Sequence, residues 1–221
     1  MAEMIDLEAE DGHKLTAYRA DPDGPARGGL VVIQEIFGVN SHIRDVCDRF
    51  AASGYSAIAP AVFDRLQKGI ELEYTEQGVA AGRDLIEQLG WDDALKDIWA
   101  AALALDPNGK AGVVGYCWGG SVAWLAACRL NIAAAVGYYG RQIPEFVDEK
   151  PGVPVMLHFG ENDPLIPLEG VETVRAAHPQ VPIFTYPAGH GFTCDQRADF
   201  HAESSRRALV HTMDFFAENL T

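Results

Sequence analysis

A cysteine flanked by glycines, between a predicted strand and a predicted helix, most limits what this chain can fold into. The segment Gly115-Tyr116-Cys117-Trp118-Gly119, with Gly120 after it, follows the apolar run 111–114 and precedes the helical pattern 121–127. A sharp strand-to-helix turn pushes its middle residue into a strained, exposed position, and glycines leave room for that turn. Cys117 would then lie at a helix N-terminus, where partial positive charge favours a thiolate. The pattern predicts a nucleophile elbow, although a buried structural cysteine beside packing glycines is the competing interpretation.

Strand-like apolar runs alternate with helical patterns along the whole chain, which is typical of an α/β fold. We therefore expect a mostly parallel twisted sheet flanked by helices on both faces, in one domain over residues 1–221. Ser41 is expected to cap the first helix, and residues 61–73 to run over the surface near the site. The predicted strands are 14–18, 29–34, 55–59, 111–114, 133–138, 153–159 and 183–186, and the predicted helices are 41–53, 74–89, 92–105, 121–127 and 199–218.

The net charge of −15 argues against nucleic acid and anionic membranes as partners. Hydrophobic residues make up 48% of the chain but are too dispersed for a membrane span. The acidic start of the chain lacks the apolar region of a signal peptide, so a cytoplasmic location is expected. The four cysteines show neither C-x-x-C nor zinc spacing, which predicts free thiols and no metal site.

An acid and a histidine follow two later predicted strands. Asp163 lies just before Pro164, and His190 lies among small residues in Ala188–Phe192. The chain order of nucleophile, acid and histidine is that of the α/β hydrolases. Alone, the aspartate could simply begin a turn, and Glu161 is a competitor for the acid's role. The other six histidines have strand, helix or loop contexts without a motif: His13, His42, His158, His178, His201 and His211.

Glu35 ends a buried predicted strand and begins the turn where such folds place one oxyanion-hole amide. The backbone N–H groups of Ile36 and Trp118 are therefore the predicted pair of oxyanion donors. Near Cys117, the Glu35 carboxylate would oppose thiolate formation or accept the thiol proton. The alternative is a structural glutamate paired with a nearby arginine.

Several segments together resemble the dienelactone hydrolase family of α/β hydrolases, and the resemblance covers nearly the whole chain. The matching segments are QEIFGVN (34–40), HIRDVCDRFAASGYSAIAP (42–60), GYCWGG (115–120), AVGYYG (135–140) and GHGF (189–192). The resemblance implies Cys117 as nucleophile, His190 as base and Asp163 as orienting acid. It also implies that Glu35 holds the resting thiol and that Tyr139 is a pocket tyrosine. The family's reference reaction is hydrolysis of dienelactone to maleylacetate, without a cofactor.

The chain departs from the family pattern where the substrate carboxylate is bound. Cys194 stands where the family reference has an arginine, four residues after the histidine. Thr75 and Val79 stand at the places of a second arginine and a tyrosine. In the family, these arginines bind the substrate carboxylate, and such charged pairs orient the substrate as well as contributing binding energy. The resemblance therefore predicts the type of reaction more readily than the identity of the substrate. The candidate substrate-binding residues are therefore Tyr139, Phe37, Arg65, Arg83 and Arg197.

These observations predict a cysteine hydrolase that cleaves a small ester or lactone through a thioester intermediate. Its expected partner is a small-molecule substrate, and its expected assembly is a monomer or a small homo-oligomer. One alternative is a non-catalytic or redox-sensing protein that uses Cys117. Another is a general carboxylesterase of the serine type, although Ser121 lies one helical turn beyond the elbow.

Overall fold

A computed structural model describes residues 1–220, in which eight strands form one sheet. Their spatial order is β1-β2-β4-β3-β5-β6-β7-β8. The strands are β1 (Ala2–Glu8), β2 (Lys14–Ala20), β3 (Gly29–Ile33), β4 (Ser56–Pro60), β5 (Gly112–Tyr116), β6 (Ala134–Tyr138), β7 (Val155–Gly160) and β8 (Ile183–Tyr186).

Within residues 1–220, six α-helices connect or follow these strands. They are α1 (Ser41–Ala52), α2 (Glu76–Gln88), α3 (Trp91–Leu105), α4 (Trp118–Arg129), α5 (Leu168–Ala177) and α6 (Ala202–Asn219). Two 3₁₀ turns, Val62–Arg65 and Ile143–Phe146, lie in the longer connections. Among residues 1–220, no helix combines the length and apolar character needed to cross a membrane.

The sheet is parallel from β4 through β8, and only β1 and β2 run antiparallel to their neighbours. This confirms the predicted α/β fold with a mostly parallel sheet. In such a sheet the carboxyl ends of the parallel strands meet at one edge, where ligands bind. The turns after β3, β5, β7 and β8 are therefore brought to the same edge.

The centre of the sheet is dry because its strands are continuous apolar runs. Every residue of β5 and of β6 is buried. Helix α4 is buried along its length from Trp118 to Ala127, as expected for a helix that is apolar on all sides. The segment that carries Cys117 is thus held on both sides by buried, close-packed elements.

Four details of the predicted elements were wrong. Strand β1 was missed because its residues are mostly polar and exposed, as suits an edge strand, and α5 was missed as well. Helix α4 begins at Trp118 rather than at residue 121, since two glycines hid its first turn. Asn40, not Ser41, caps α1: its side chain accepts a hydrogen bond from the Ile43 N–H at 3.2 Å.

The segment 61–73 does not simply run over the surface. Val62, Phe63 and Asp64 are buried in the first 3₁₀ turn. The Asp64 carboxylate accepts hydrogen bonds from the Thr16 backbone N–H and hydroxyl, both at 2.9 Å. A carboxylate satisfied in this way fastens the segment to β2.

Candidate active site

Cys117 lies between β5 and α4 in a backbone conformation that side chains rarely adopt, with φ 55° and ψ −119°. The glycines on both sides make this turn possible. A Cβ at residue 115 would come within 1.8 Å of the Gly119 carbonyl oxygen, and one at residue 119 within 2.4 Å of the Gln34 carbonyl oxygen. Any larger residue would force the strand and helix apart. The predicted strained elbow is present, and its strain is concentrated at the thiol-bearing residue.

A chain of hydrogen bonds joins the thiol, an imidazole and a carboxylate. Cys117 Sγ lies 3.1 Å from His190 Nε2, and His190 Nδ1 lies 2.7 Å from Asp163 Oδ2. The other Asp163 oxygen accepts a hydrogen bond from the Leu165 N–H at 2.8 Å, which fixes the carboxylate plane. Glu161, the competing acid, instead accepts a hydrogen bond from Thr185. The structure therefore brings Asp163 to the histidine.

The surroundings of His190 favour its protonated form. Burial alone lowers the pKa of this imidazole, but the charge of Cys117 and the hydrogen bond to Asp163 outweigh burial and raise the pKa to about 10. Cys117 is also the N-cap residue of the buried helix α4, where the helix dipole favours negative charge. The arrangement suits a thiolate–imidazolium pair.

Tyr139 supports the imidazole from behind. It is fully buried, and its ring meets the His190 ring edge to face at 5.1 Å between centroids. Its hydroxyl shares a 2.6 Å hydrogen bond with the Thr193 hydroxyl, and its backbone φ is 39°. Tyr139 is absent from the residues that line the cavity, and its contacts are with His190 and the loop after it, so its direct contact with a substrate stays a prediction.

Two backbone N–H groups are available beside the thiol. Ile36 and Trp118 line the same cavity as Cys117. Trp118 is the first residue of α4, so its N–H has no acceptor within the helix. Within residues 1–220 neither N–H donates a hydrogen bond to the protein. These are the two donors predicted for an oxyanion hole.

Glu35 is completely buried, and its hydrogen-bond partners are groups other than Cys117. Its Oε2 accepts a hydrogen bond from the Tyr74 hydroxyl at 3.0 Å, and its Oε1 lies 3.4 Å from Arg197 Nη1. Among the hydrogen bonds of residues 1–220, none joins Glu35 to the thiol. The glutamate is therefore paired with an arginine, while Cys117 is paired with His190.

A cavity of about 80 Å³ opens in front of Cys117 and His190. This volume is small beside the roughly 300–1,000 Å³ of common ligand pockets. Trp118 contributes to the narrowing and stacks on Trp91 at 5.9 Å between ring centroids. The remaining lining residues are Ile36, Phe37, Val79, Arg83, Ile86, Arg141, Gln142, Leu165 and Arg197.

Three arginines face this cavity, of which two were predicted. Arg83 and Arg197 line it as expected, and so does Phe37. Arg141 was missed, although its place one residue after the segment 135–140 puts it at the same edge of the sheet. Within residues 1–220, neither Arg83 nor Arg141 has an acidic partner within 4.0 Å. The cavity thus presents positive charge within an acidic protein.

Arg65 does not line the cavity. Its guanidinium pairs with the fully buried Asp97 at 2.7 Å and with Asp11 at 2.9 Å. Both contacts consume the donors that a substrate carboxylate would need. The structure does not support the assignment of Arg65 to substrate binding, because its guanidinium is paired with the buried carboxylate of Asp97.

Comparison with known proteins gives one consistent result. The model of the dienelactone hydrolase family matches residues 15–220. A relative from Synechocystis sp., named "Putative carboxymethylenebutenolidase", is 36% identical over 94% of this chain and 93% of its own length. A relative of the same name from Escherichia coli is 33% identical over 94% of this chain and 83% of its own length.

Solved structures agree with the sequence comparison. The "Putative Dienelactone Hydrolase" from Klebsiella pneumoniae has a TM-score of 0.82 and is 30% identical, covering 98% of this chain and 99% of that one. A dienelactone hydrolase-like phosphotriesterase from metagenomic libraries has a TM-score of 0.79 at 18% identity, covering 100% and 99%. The second likeness shows the fold alone.

Proposed function

This chain belongs to the dienelactone hydrolase family, and from that premise we propose that it hydrolyses a small lactone or ester through a thioester on Cys117. The observation that carries the proposal is the hydrogen-bonded chain from Cys117 through His190 to Asp163. A thiol, an imidazole and a carboxylate joined in this order support the proposal, because covalent acyl transfer needs a nucleophile, a base and an orienting acid.

Acylation begins with attack of the Cys117 thiolate on the carbonyl carbon. The carbonyl oxygen gains negative charge and is stabilised by the N–H groups of Ile36 and Trp118, each worth about 3 kcal/mol in the barrier. Collapse of this intermediate breaks the C–O bond, and the His190 imidazolium gives its proton to the leaving oxygen. In a lactone the leaving oxygen stays attached to the acyl chain.

Deacylation returns the enzyme to its starting state. The neutral His190 takes a proton from water as the water oxygen attacks the thioester carbon. The same two N–H groups stabilise the second oxyanion, and its collapse releases the carboxylic acid and the Cys117 thiolate. Asp163 holds Nδ1 of the imidazole throughout, so that Nε2 faces the reacting atoms.

Glu35 acts in this scheme as a counter-charge whose partner decides the state of the thiol. With Arg197 and Tyr74 on its two oxygens, the carboxylate is kept from opposing the thiolate. A Glu35 released from Arg197 would be free to hold a protonated thiol at rest, as the family resemblance implies. Glu35→Gln should therefore change the pH profile of thiol alkylation, and an unchanged profile would reject this role.

The cavity favours a small substrate that carries a carboxylate. Arg83 and Arg141 lie at its rim without acidic partners, and Arg197 lies deeper against Glu35. Planar guanidinium groups bind carboxylates in two-point fashion, which orients as well as attracts. Apolar side chains such as Phe37 and Leu165 supply a surface for an unsaturated ring. A dienelactone-like acid fits both features.

The nucleophile is tested with purified Cys117→Ala protein and a matched Cys128→Ser control. Cys128 is a half-buried thiol on α4 that is absent from the cavity lining. We expect hydrolysis of dienelactone and of aryl esters to be lost in the first variant and kept in the second. Mass spectrometry of the native enzyme should show an acyl adduct on Cys117 that disappears with turnover. Undiminished hydrolysis by Cys117→Ala would reject the assignment, and a stable oxidised Cys117 without lactone turnover would favour a redox sensor.

Substrate charge is tested with Arg83→Gln and Arg141→Gln, using a carboxylated ester and its neutral methyl ester. Loss of an arginine contact should raise KM for the anionic ester at least about tenfold and leave the neutral ester nearly unchanged, since a hydrogen bond to a charged group contributes about 1.5–3 kcal/mol. Arg206→Gln on the exposed face of α6 is the matched control. Equal effects on the two esters would reject carboxylate recognition by these arginines.

A further inference from the structure

A second group of buried polar side chains lies beside the proposed catalytic residues. Glu35, His42 and Cys194 each offer one ligand atom, and these atoms all lie within 4.8 Å of one another. They come from the turn after β3, the first turn of α1 and the loop that follows His190. All three are buried. No local spacing in the sequence could have indicated this cluster, because the fold alone assembles it.

His42 is the side chain that most needs a partner. It is completely buried, and within residues 1–220 neither of its ring nitrogens has a hydrogen-bond partner. The nearest acidic oxygen, Oδ1 of Asp195, lies 3.7 Å from Nδ1, which is too long for a hydrogen bond. Buried polar atoms are almost always satisfied, so an unpartnered imidazole facing a carboxylate and a thiol calls for a ligand.

We propose that Glu35, His42 and Cys194 bind a divalent metal ion of the zinc class. A set of one imidazole nitrogen, one thiolate and one carboxylate oxygen suits zinc, whereas magnesium and calcium prefer oxygen alone. Three protein ligands leave a fourth position for water. The three ligand atoms now lie within 4.8 Å of one another and would move closer together to reach zinc–ligand bonds of about 2.0–2.3 Å.

The protonation states of the cluster fit this use. Burial lowers the pKa of His42, which keeps the imidazole neutral and able to donate a lone pair. Burial raises the pKa of Cys194 to about 11, so the resting residue is a thiol. Formation of the metal–sulfur bond therefore releases one proton to solvent.

The ion would compete with the present partners of Glu35. Arg197 lies 3.4 Å from one carboxylate oxygen, and the Tyr74 hydroxyl donates to the other. A metal ion would replace Arg197 as the main positive charge on Glu35, and the guanidinium would be released toward the cavity it lines. The site therefore couples metal binding to the charge in front of Cys117.

The experiment uses Cys117→Ala protein, because Cys117 and His190 could themselves hold a zinc ion. Titration with Zn²⁺ by calorimetry should give one ion per chain, and Co²⁺ should produce a thiolate-to-metal absorption band. Adding Cys194→Ser should abolish the band and weaken zinc binding at least tenfold. His42→Gln should weaken zinc binding to a similar extent. Cys128→Ser, made in the same parent, should keep both the band and the affinity.

Absence of zinc binding by the folded parent protein would overturn the proposal. So would a cobalt band that survives Cys194→Ser or disappears with Cys128→Ser, since the thiolate would then lie elsewhere. Far-ultraviolet circular dichroism and a melting curve establish that each variant is folded, and Cys194→Ala serves as a second variant if the serine form is not. Every readout is made on a protein without the nucleophile, so the outcome is independent of the hydrolytic proposal.

Discussion

Replacement of Asp163 by Asn is the sharpest test of the proposed ion pair. Asp163 and His190 are both buried and lie 2.7 Å apart, and the Leu165 N–H holds the second carboxylate oxygen. Asparagine has the same shape and can keep the contact to Leu165. The change therefore removes a charge while leaving the loop in place.

The expected size follows from the pKa of His190, which is about 10 in the folded protein against 6.5 in a free side chain. At 1.36 kcal/mol per pKa unit, the site favours the imidazolium by about 5 kcal/mol. Asp163 provides two of the four favourable contributions, a hydrogen bond and a charge interaction, and Cys117 provides the others. A hydrogen bond to a charged group contributes about 1.5–3 kcal/mol. We therefore expect removal of the Asp163 charge to cost the ion pair about 2 kcal/mol, which corresponds to about a 30-fold loss in kcat.

The assay measures the rate of Cys117 alkylation by iodoacetamide as a function of pH, because only the thiolate reacts. Destabilising the imidazolium raises the pH at which the thiolate forms. We expect the acidic limb of the profile to move upward by about 1.5 pH units in Asp163→Asn. Steady-state lactone hydrolysis measured on the same samples gives the change in kcat.

Glu161→Gln is the matched control, since Glu161 lies two residues away and is bonded to Thr185 instead. Glu161→Gln should leave the pH profile of Cys117 alkylation and the kcat of lactone hydrolysis unchanged. A folded Asp163→Asn protein with the native alkylation profile would show that Asp163 does not support the charge on His190. A shift in Glu161→Gln of equal size would show that the effect is general electrostatics of the loop.

Three further predictions concern stability. Gly119→Ala should lower the free energy of unfolding by about 1–3 kcal/mol, because its Cβ would lie 2.4 Å from the backbone carbonyl oxygen of Gln34, directly after β3; an unchanged melting temperature would contradict this. Arg65→Gln should cost about 3–5 kcal/mol by leaving buried Asp97 unpaired, while KM stays the same; a raised KM would return Arg65 to substrate binding. His158 has its pKa lowered by burial to about 3, so the unfolded chain binds its proton first as pH falls below 6.5, and stability should drop by about 2 kcal/mol between pH 7 and pH 5. Urea unfolding at pH 7 and at pH 5 measures this difference in the free energy of unfolding, and the difference should be smaller in His158→Gln.

The parts of the fold that were predicted are those in which local pattern and burial agree. Strands β5 and β6 are continuous apolar runs, and their burial on both faces is what such runs indicate. Strand β1 carries no such signal, because it is held only by antiparallel pairing to β2 and exposes most of its side chains. Pairing with a distant strand is invisible in a local pattern.

The candidate site shows the same division. Cys117, Asp163 and His190 were found because each follows a recognisable strand, and parallel topology then brings them together. The contacts of Arg65 and Tyr139 were not predicted, because a side chain's direction depends on its partners. Arg65 is turned toward Asp97, and Tyr139 toward Thr193. No sequence pattern indicates which of several possible partners such a side chain will contact in the folded protein.

The active-site side chains lie in the turns after β3, β5, β7 and β8. This distribution affects how activity develops while the protein is synthesised and folds. His190 lies 73 residues after Cys117 and follows the last strand of the sheet. A chain still emerging from the ribosome carries the Cys117 thiol long before the imidazole that would activate it is synthesised. Contacts between such distant segments form late. Recovery of lactone cleavage after dilution from denaturant should consequently lag behind the return of helical signal, and its time course would report the docking of β8.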